Sequence, residues 1–84
     1  MKAKVLVCTG ADDPLVPPEQ VNAFQNEMRK AGADWQVISY GGAGHSFTNP
    51  AADGSMGPNF KYHEPTDRRA WTAMQYFLAE AFTL

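Results

Sequence analysis

The first apolar run of the chain predicts a strand that is buried on both faces. Val5–Cys8 is apolar without interruption, and Gly10 and Pro14 follow it. A short run of this kind, bounded by turn residues, is typical of a strand in a parallel sheet that helices cover on both sides. The pattern therefore favours an α/β fold class.

A helix is predicted over Pro18–Ala31, because apolar residues recur there at helical spacing. Val21, Phe24 and Met28 lie three or four residues apart and form one stripe. Proline is favoured in the first turn of a helix, and Gly32 fits a C-terminal cap. The next segment, Trp35–Tyr40, is rich in aromatic and β-branched residues and is predicted to be a second strand.

The two predicted strands and the helix between them form a parallel βαβ unit, which is right-handed in nearly all proteins. Both strands then end at the same edge of the sheet. A long segment, 41–65, is rich in glycine and proline and has no regular period. Loops of that length in small domains are usually functional or mobile.

The last helix is predicted from about Asp67 to Ala81, with Thr66 as its N-terminal cap. Arg68 and Arg69 oppose the helix dipole there, so we expect a carboxylate partner for one of them. The helix carries one wide apolar face, and we expect Trp71 and Phe77 in it to pack in the core or at an interface. The residues of this face are Trp71, Met74, Phe77, Leu78, Ala81 and Phe82.

The composition limits the function classes. A chain of 84 residues makes one small domain, 1–84, and its net charge of −2 excludes a strong electrostatic nucleic-acid binder. No apolar run approaches the roughly 20 residues of a membrane span. We therefore expect neither a nucleic acid nor a membrane as a partner.

Cysteine and histidine usage adds to these expectations. Cys8 is the only cysteine, which excludes an intrachain disulfide and is typical of a reducing compartment. No signal peptide is recognisable in Met1–Cys8, so we expect a cytoplasmic protein. Cysteine and histidine do not occur at metal-ligand spacing, and no metal or cofactor is expected.

Two residues with the chemistry of an acid–base pair follow the predicted strands. Asp13 comes after the first strand and His45 after the second. Because parallel strands lie about 4.8 Å apart and end at one edge, these side chains can meet. An acid that holds a histidine in one tautomer forms two thirds of a nucleophilic triad. Asp13 is alternatively a turn residue, since Asp-Pro commonly starts turns.

The segments around both residues resemble the dienelactone hydrolase family. Gly10–Pro17 is similar to its G-x-x-D-x-x-V-P segment, and Gly42–Phe47 is similar to its G-x-x-H-x-F segment. Asp67–Trp71 resembles the start of the last helix of the family. The resemblance covers essentially the whole chain. It implies part of an α/β-hydrolase fold that acts on esters and lactones without a metal, with Asp13 as triad acid and His45 as base.

The nucleophile of that family is not recognisable in this chain. A nucleophile elbow has the form G-x-[SC]-x-G between a strand and a helix. Cys8 lies within the first predicted strand, Ser46 is adjacent to His45, and Asp53–Gly57 is only a near match. We therefore expect a truncated C-terminal portion of the family fold. It would be inactive alone, or active with a partner chain that bears the nucleophile.

A different class of function is also open. The first strand would lack its inner neighbour, and an uncovered apolar edge promotes self-association. We expect two copies to pair antiparallel through Val5–Cys8, which extends two strands per chain to a four-stranded sheet. The chain would then be a self-associating binding module that reuses the edge near Asp13 and His45 as a cleft. Weak acid–base chemistry by Asp13 and His45 alone is a third reading. His63 is expected to face solvent, and Cys8 to be a small buried residue.

Overall fold

The computed structural model describes residues 4–82, which form two strands and two helices. In chain order these are β1 (Lys4–Gly10), α1 (Pro18–Ala31), β2 (Asp34–Tyr40) and α2 (Glu64–Ala81). The predicted strands are confirmed, each slightly longer than expected, and the predicted bounds of the first helix are confirmed at both ends. Gly32 caps α1 in the left-handed conformation, with φ 67°.

β1 and β2 form a two-stranded parallel sheet. Their register pairs Lys4 with Asp34 at one end and Gly10 with Tyr40 at the other. The α/β class and the βαβ unit are thus confirmed, and the two strands end at one edge of the sheet as predicted. Pairing with a second copy of the chain remains a prediction.

The two helices lie on opposite faces of the sheet. Val21 and Phe24 of α1 line a narrow cavity together with Val7 and Val37 of the strands. On the other face, Cys8 and Tyr40 pack against a small buried cluster. It consists of Ala43 and Phe47, from the segment after β2, and of Ala70 from α2. The alternation of side chains along each strand therefore places successive residues under different helices.

The core formed by the described residues is small. Its buried apolar residues are Ala43, Phe47 and Ala70, and α1 has no buried residue. Val5–Cys8, predicted to be buried on both faces, is only half-buried. The reason is that one helix per face covers a two-stranded sheet incompletely, and each strand has only one neighbouring strand among residues 4–82.

The start of α2 corrects the sequence prediction. The helix begins at Glu64 rather than near Asp67, and His63 rather than Thr66 occupies the N-cap position. Pro65 in the first turn explains this start, since proline is well accommodated where no amide needs an intrahelical partner. Thr66 is instead fully buried, and its hydroxyl bonds Nδ1 of His63. His63 is therefore half-buried and not directed wholly to solvent as expected.

The apolar face predicted for α2 is only partly covered. Trp71 is 58% exposed and Phe82 is 77% exposed, whereas Met74 and Phe77 are half-buried. The expectation that Trp71 packs in the core is thus wrong within this chain, and its packing at an interface remains a prediction. No helix in the described part of the chain is both long enough and apolar enough to cross a membrane.

Candidate acid–base site

Asp13 and His45 meet beyond the carboxyl ends of the two strands. Nδ1 of His45 lies 3.2 Å from Oδ2 of Asp13. The side chain of Asp13 is only 9% exposed, whereas that of His45 is 42% exposed. The structure therefore brings together the two residues that the sequence analysis selected, and it leaves the histidine accessible.

The turn after β1 fixes the orientation of the Asp13 carboxylate. Its Oδ1 accepts a hydrogen bond of 2.9 Å from the backbone N–H of Leu15. The N–H of Asp13 itself donates to the carbonyl of Gly10 at 3.1 Å. Asp13 is thus both a turn residue and the partner of His45, with one oxygen for each role. The two readings of this residue do not exclude each other.

His45 is held by its own loop as well as by Asp13. Its backbone N–H donates to the carbonyl of Asn59 at 2.7 Å, and its ring lies 5.5 Å from the ring of Phe60 at an angle of 59°. With Nδ1 directed to Asp13, Nε2 is the ring nitrogen left for an incoming group. This is the arrangement in which a histidine serves as a general base.

Two glycines allow the loops after β1 and β2 to approach each other. A Cβ on Gly10 would lie 2.5 Å from the carbonyl oxygens of Ala43 and Gly44, and a Cβ on Gly44 would overlap the carbonyl of Asn59. A 2.9 Å hydrogen bond from the N–H of Asp12 to the carbonyl of Ala43 stabilises this close approach of the two loops. The distance between Asp13 and His45 therefore depends on backbone contacts that larger residues would prevent.

A cavity of about 430 Å³ adjoins His45. Most of its wall comes from the long loop, residues 41–63, which the structure confirms as a segment without helix or extended strand. Backbone hydrogen bonds fold this loop on itself, for example from the N–H of Tyr62 to the carbonyl of Ala52 at 2.9 Å. The lining residues are Leu15, His45, Ser46, Asn49, Ala51, Ala52, Asp53, Ser55, Met56 and Phe60.

The loop was predicted from the sequence as a segment, but its cavity-lining residues were not. The hydrogen bonds that fold the loop on itself join residues 10 to 16 positions apart, and no periodic pattern indicates such contacts. The only local signal is the sequence Asp53–Gly57, in which Gly54 and Gly57 have φ of 85° and 144°. The N–H of Gly57 donates to the carbonyl of Gly54 at 3.0 Å, which closes a turn, and Ser55 in this turn lines the cavity.

The candidate nucleophiles Cys8, Ser46 and Ser55 do not lie in the surroundings of a nucleophile elbow. Cys8 lies inside β1, is half-buried, and has its Sγ 4.0 Å from the hydroxyl of Tyr40. Burial raises the pKa of Tyr40, and the neighbouring Cys8 thiol adds to this rise. In the described residues no hydrogen bond joins His45 to Ser46 or Ser55. None of these three residues is presented to His45 on a strand-to-helix turn.

Within residues 4–82, no group of three or more His, Cys, Asp or Glu side chains is placed to hold a metal ion.

Comparisons with known proteins point to one family. The sequence profile described as the dienelactone hydrolase family matches residues 1–82. An uncharacterized protein of Caenorhabditis elegans is 40% identical over 73 residues, which are 87% of this chain and 46% of that protein. A putative carboxymethylenebutenolidase of Salmonella typhimurium is 31% identical over 80 residues, 95% of this chain and 27% of the relative.

Two solved structures resemble the chain closely. A dienelactone hydrolase-like promiscuous phosphotriesterase from metagenomic libraries superposes with a TM-score of 0.84 and 45% identity, over 92% of this chain and 32% of that one. A protein described as m3DLH gives a TM-score of 0.88 and 46% identity, over 95% and 33%. The chain thus spans less than half the length of the curated relatives and about a third of these structures.

Proposed function

Because this chain belongs to the dienelactone hydrolase family, we propose that Asp13 and His45 are the acid and base of a site that hydrolyses esters or lactones. The nucleophile of this site comes from outside residues 1–84. The observation that carries the proposal is the 3.2 Å contact between Nδ1 of His45 and Oδ2 of Asp13, beside an open cavity.

The reaction follows from this arrangement. Nε2 of His45 takes the proton of the incoming hydroxyl or thiol nucleophile as that group attacks the ester carbonyl carbon. The same proton then passes to the departing alkoxide, which leaves as an alcohol. His45 then deprotonates a water molecule that attacks the acyl carbon, the carboxylic acid leaves, and His45 returns the proton to the released nucleophile. Asp13 keeps the imidazole in one orientation and stabilises its positive charge during both steps.

The properties of Cys8, Ser46 and Ser55 support an external nucleophile. Cys8 belongs to the sheet, and its neighbour is the Tyr40 hydroxyl. Ser46 follows His45 directly in the chain, and Ser55 lies in a glycine-bounded turn. A second polypeptide, or a preceding segment of a longer one, would supply the elbow together with its oxyanion hole.

A two-segment assay tests this function. The chain would be co-expressed with the part of the Salmonella relative that precedes its matching region, and an aryl ester would be the substrate. We expect turnover from the complex and none from the chain alone. His45→Ala should lower turnover at least about 1,000-fold, since triad members act as a unit.

His63→Gln is the matched control, because His63 is the only other histidine and bonds Thr66 rather than Asp13. It should leave turnover within a few-fold of the unsubstituted complex. Three results would contradict the proposal: turnover by the chain alone that is lost on His45→Ala, a stable complex without turnover, or a stable complex whose turnover does not depend on His45.

A self-associating binding module is the second candidate function, and the open side of β1 favours it. Within the described residues, β1 pairs with β2 only, so its other side offers unpaired backbone groups to a further strand. In this reading the cleft near Asp13 and His45 binds a ligand without turnover.

A further inference from the structure

The cavity beside His45 has a wall whose charge is of one sign. This feature bears on which esters the proposed hydrolytic site would accept, so the inference rests on that function and extends it. This wall consists of residues from the loop 46–60 and of Leu15 from the turn after β1.

Apolar side chains form much of this wall. Leu15 is 57% exposed and Met56 is 85% exposed, and both line the cavity. The ring of Phe60 lies against that of His45, so an apolar surface continues to the base itself. A ligand that covers these side chains removes apolar surface from water, which favours its binding.

Among residues 4–82, Asp53 is the only acidic or basic side chain besides the histidine that lines the cavity. Its Oδ1 accepts a 2.9 Å hydrogen bond from the N–H of Ser55. Hydrogen bonds from Ser55 lower the pKa of Asp53, which keeps this carboxylate ionised. Asp13 adds a second carboxylate next to the His45 ring.

No lysine or arginine lines the cavity in the part of the chain that the structure describes. Lys61, a cationic residue outside the cavity lining, forms an antiparallel bridge with Asp53. No ion pair joins the two side chains, and Lys61 is exposed. A negatively charged ligand therefore has no positively charged Lys or Arg partner in this wall, and the Asp53 carboxylate repels it.

We propose that the substrate held against this wall is an uncharged ester, and that Asp53 acts as a specificity residue that disfavours substrates bearing a carboxylate. The apolar groups of Leu15, Met56 and Phe60 bind the body of the ester near His45. Repulsion by Asp53 then disfavours esters that bear a carboxylate, and the apolar surface favours uncharged ones.

Ligand binding by the 84-residue chain tests this without any need for turnover. Benzyl methyl succinate and monobenzyl succinate share one skeleton, but the second carries a carboxylate. Titrations followed by the amide signals of Ala51, Ala52 and Phe60 should show tighter binding of the uncharged ester. We expect a difference of roughly threefold to tenfold at low ionic strength, and a smaller one in high salt.

Asp53→Asn should remove most of this difference by strengthening the binding of monobenzyl succinate. Asp34→Asn is the matched control, because it makes the same charge change at the opposite end of β2, where Asp34 pairs with Lys4. It should leave the ratio of the two affinities unchanged.

Three results would overturn the inference. They are equal or tighter binding of the carboxylate ligand, a preference that survives Asp53→Asn, and no response of these amides to either ligand. The two-segment assay decides the hydrolytic role separately. A preference for the uncharged ligand together with an inactive complex would support the binding preference and contradict the hydrolytic function.

Discussion

At the scale of single residues, the position of the acid–base pair depends on neighbours that have no functional group. Gly10 and Gly44 lie where the two strand-end loops touch, and each faces backbone atoms at a distance that excludes a side chain. Backbone cannot move away as the tip of a flexible side chain can. A methyl group at either position would therefore separate the loops that carry Asp13 and His45.

Gly44→Ala should destabilise the fold by about 2 kcal/mol or more, because its Cβ would overlap the backbone of Asn59. Gly41→Ala is the matched control, since a Cβ at Gly41 would have no atom within 4 Å. Its effect should stay within about 0.5 kcal/mol. Urea unfolding of the two variants measures both values, and equal midpoints would show that the close approach at Gly44 is not needed.

At the scale of elements, the start of α2 is tied to the long loop by side chains and backbone. The hydroxyl of Tyr62 donates to Oδ2 of Asp67 at 2.9 Å, and the N–H of His63 donates to the carbonyl of Phe47 at 3.0 Å. Arg68 pairs with Glu64 at 3.2 Å, which confirms the expected carboxylate partner. That ion pair is exposed and contributes little to stability.

The bond between Tyr62 and Asp67 predicts a stability that depends on alkaline pH. This hydrogen bond raises the pKa of Tyr62 above its ordinary value of 10.0. The folded chain then keeps the phenolic proton to higher pH than the unfolded chain. The stabilisation is complete below about pH 10 and is lost as pH rises through the folded-state pKa.

Tyr62→Phe should therefore lower stability near neutral pH, and its difference from the unsubstituted chain should shrink above about pH 10. Urea midpoints across the alkaline range measure this. Asp67→Asn removes the same carboxylate and should give the same change in pH dependence. A difference that stays constant with pH would mean that the hydrogen bond does not hold the phenolic proton.

The elements also show which parts of the fold were predictable. The bounds of α1 depend on local signals, Pro18 at its start and Gly32 at its end, and both bounds were predicted. The start of α2 was not, since Thr66 followed by Asp67 resembles a cap in sequence although Thr66 is fully buried and bonds His63. Asp13 and His45 were predicted as a pair because parallel strands end together.

The cavity wall was not predictable in the same way. Its shape depends on hydrogen bonds between loop positions, such as the one from His45 to Asn59, which leave no periodic trace in the sequence. Asp53 and Met56 come to line the same cavity only when the loop is folded.

At the scale of the whole molecule, the chain is flat and thinly packed. Its extents are 43 × 28 × 17 Å, and its radius of gyration is 14.1 Å. A compact domain of this length would have a radius of gyration of about 12 Å. Because few of residues 4–82 are buried and β1 has an open side among them, apolar surface is available for another chain.

If β1 supplies that contact, the chain should self-associate in the micromolar range, and the amides of β1 should gain protection from hydrogen exchange as concentration rises. Sedimentation velocity and exchange measured on the same samples test this. Trp71→Lys separates this pairing from an interface at the exposed face of α2, and association through β1 should be unchanged by it. A well-folded monomer throughout the range, or association lost on Trp71→Lys, would contradict pairing through β1.

Asp13 and His45 lie 32 positions apart, in the loops that follow the two strands of one strand–helix–strand unit. A single stretch of gene, from Gly10 to Asn59, therefore encodes the pair and the backbone contacts that hold it. Recombination could join that stretch to different upstream sequences without altering the geometry of the pair.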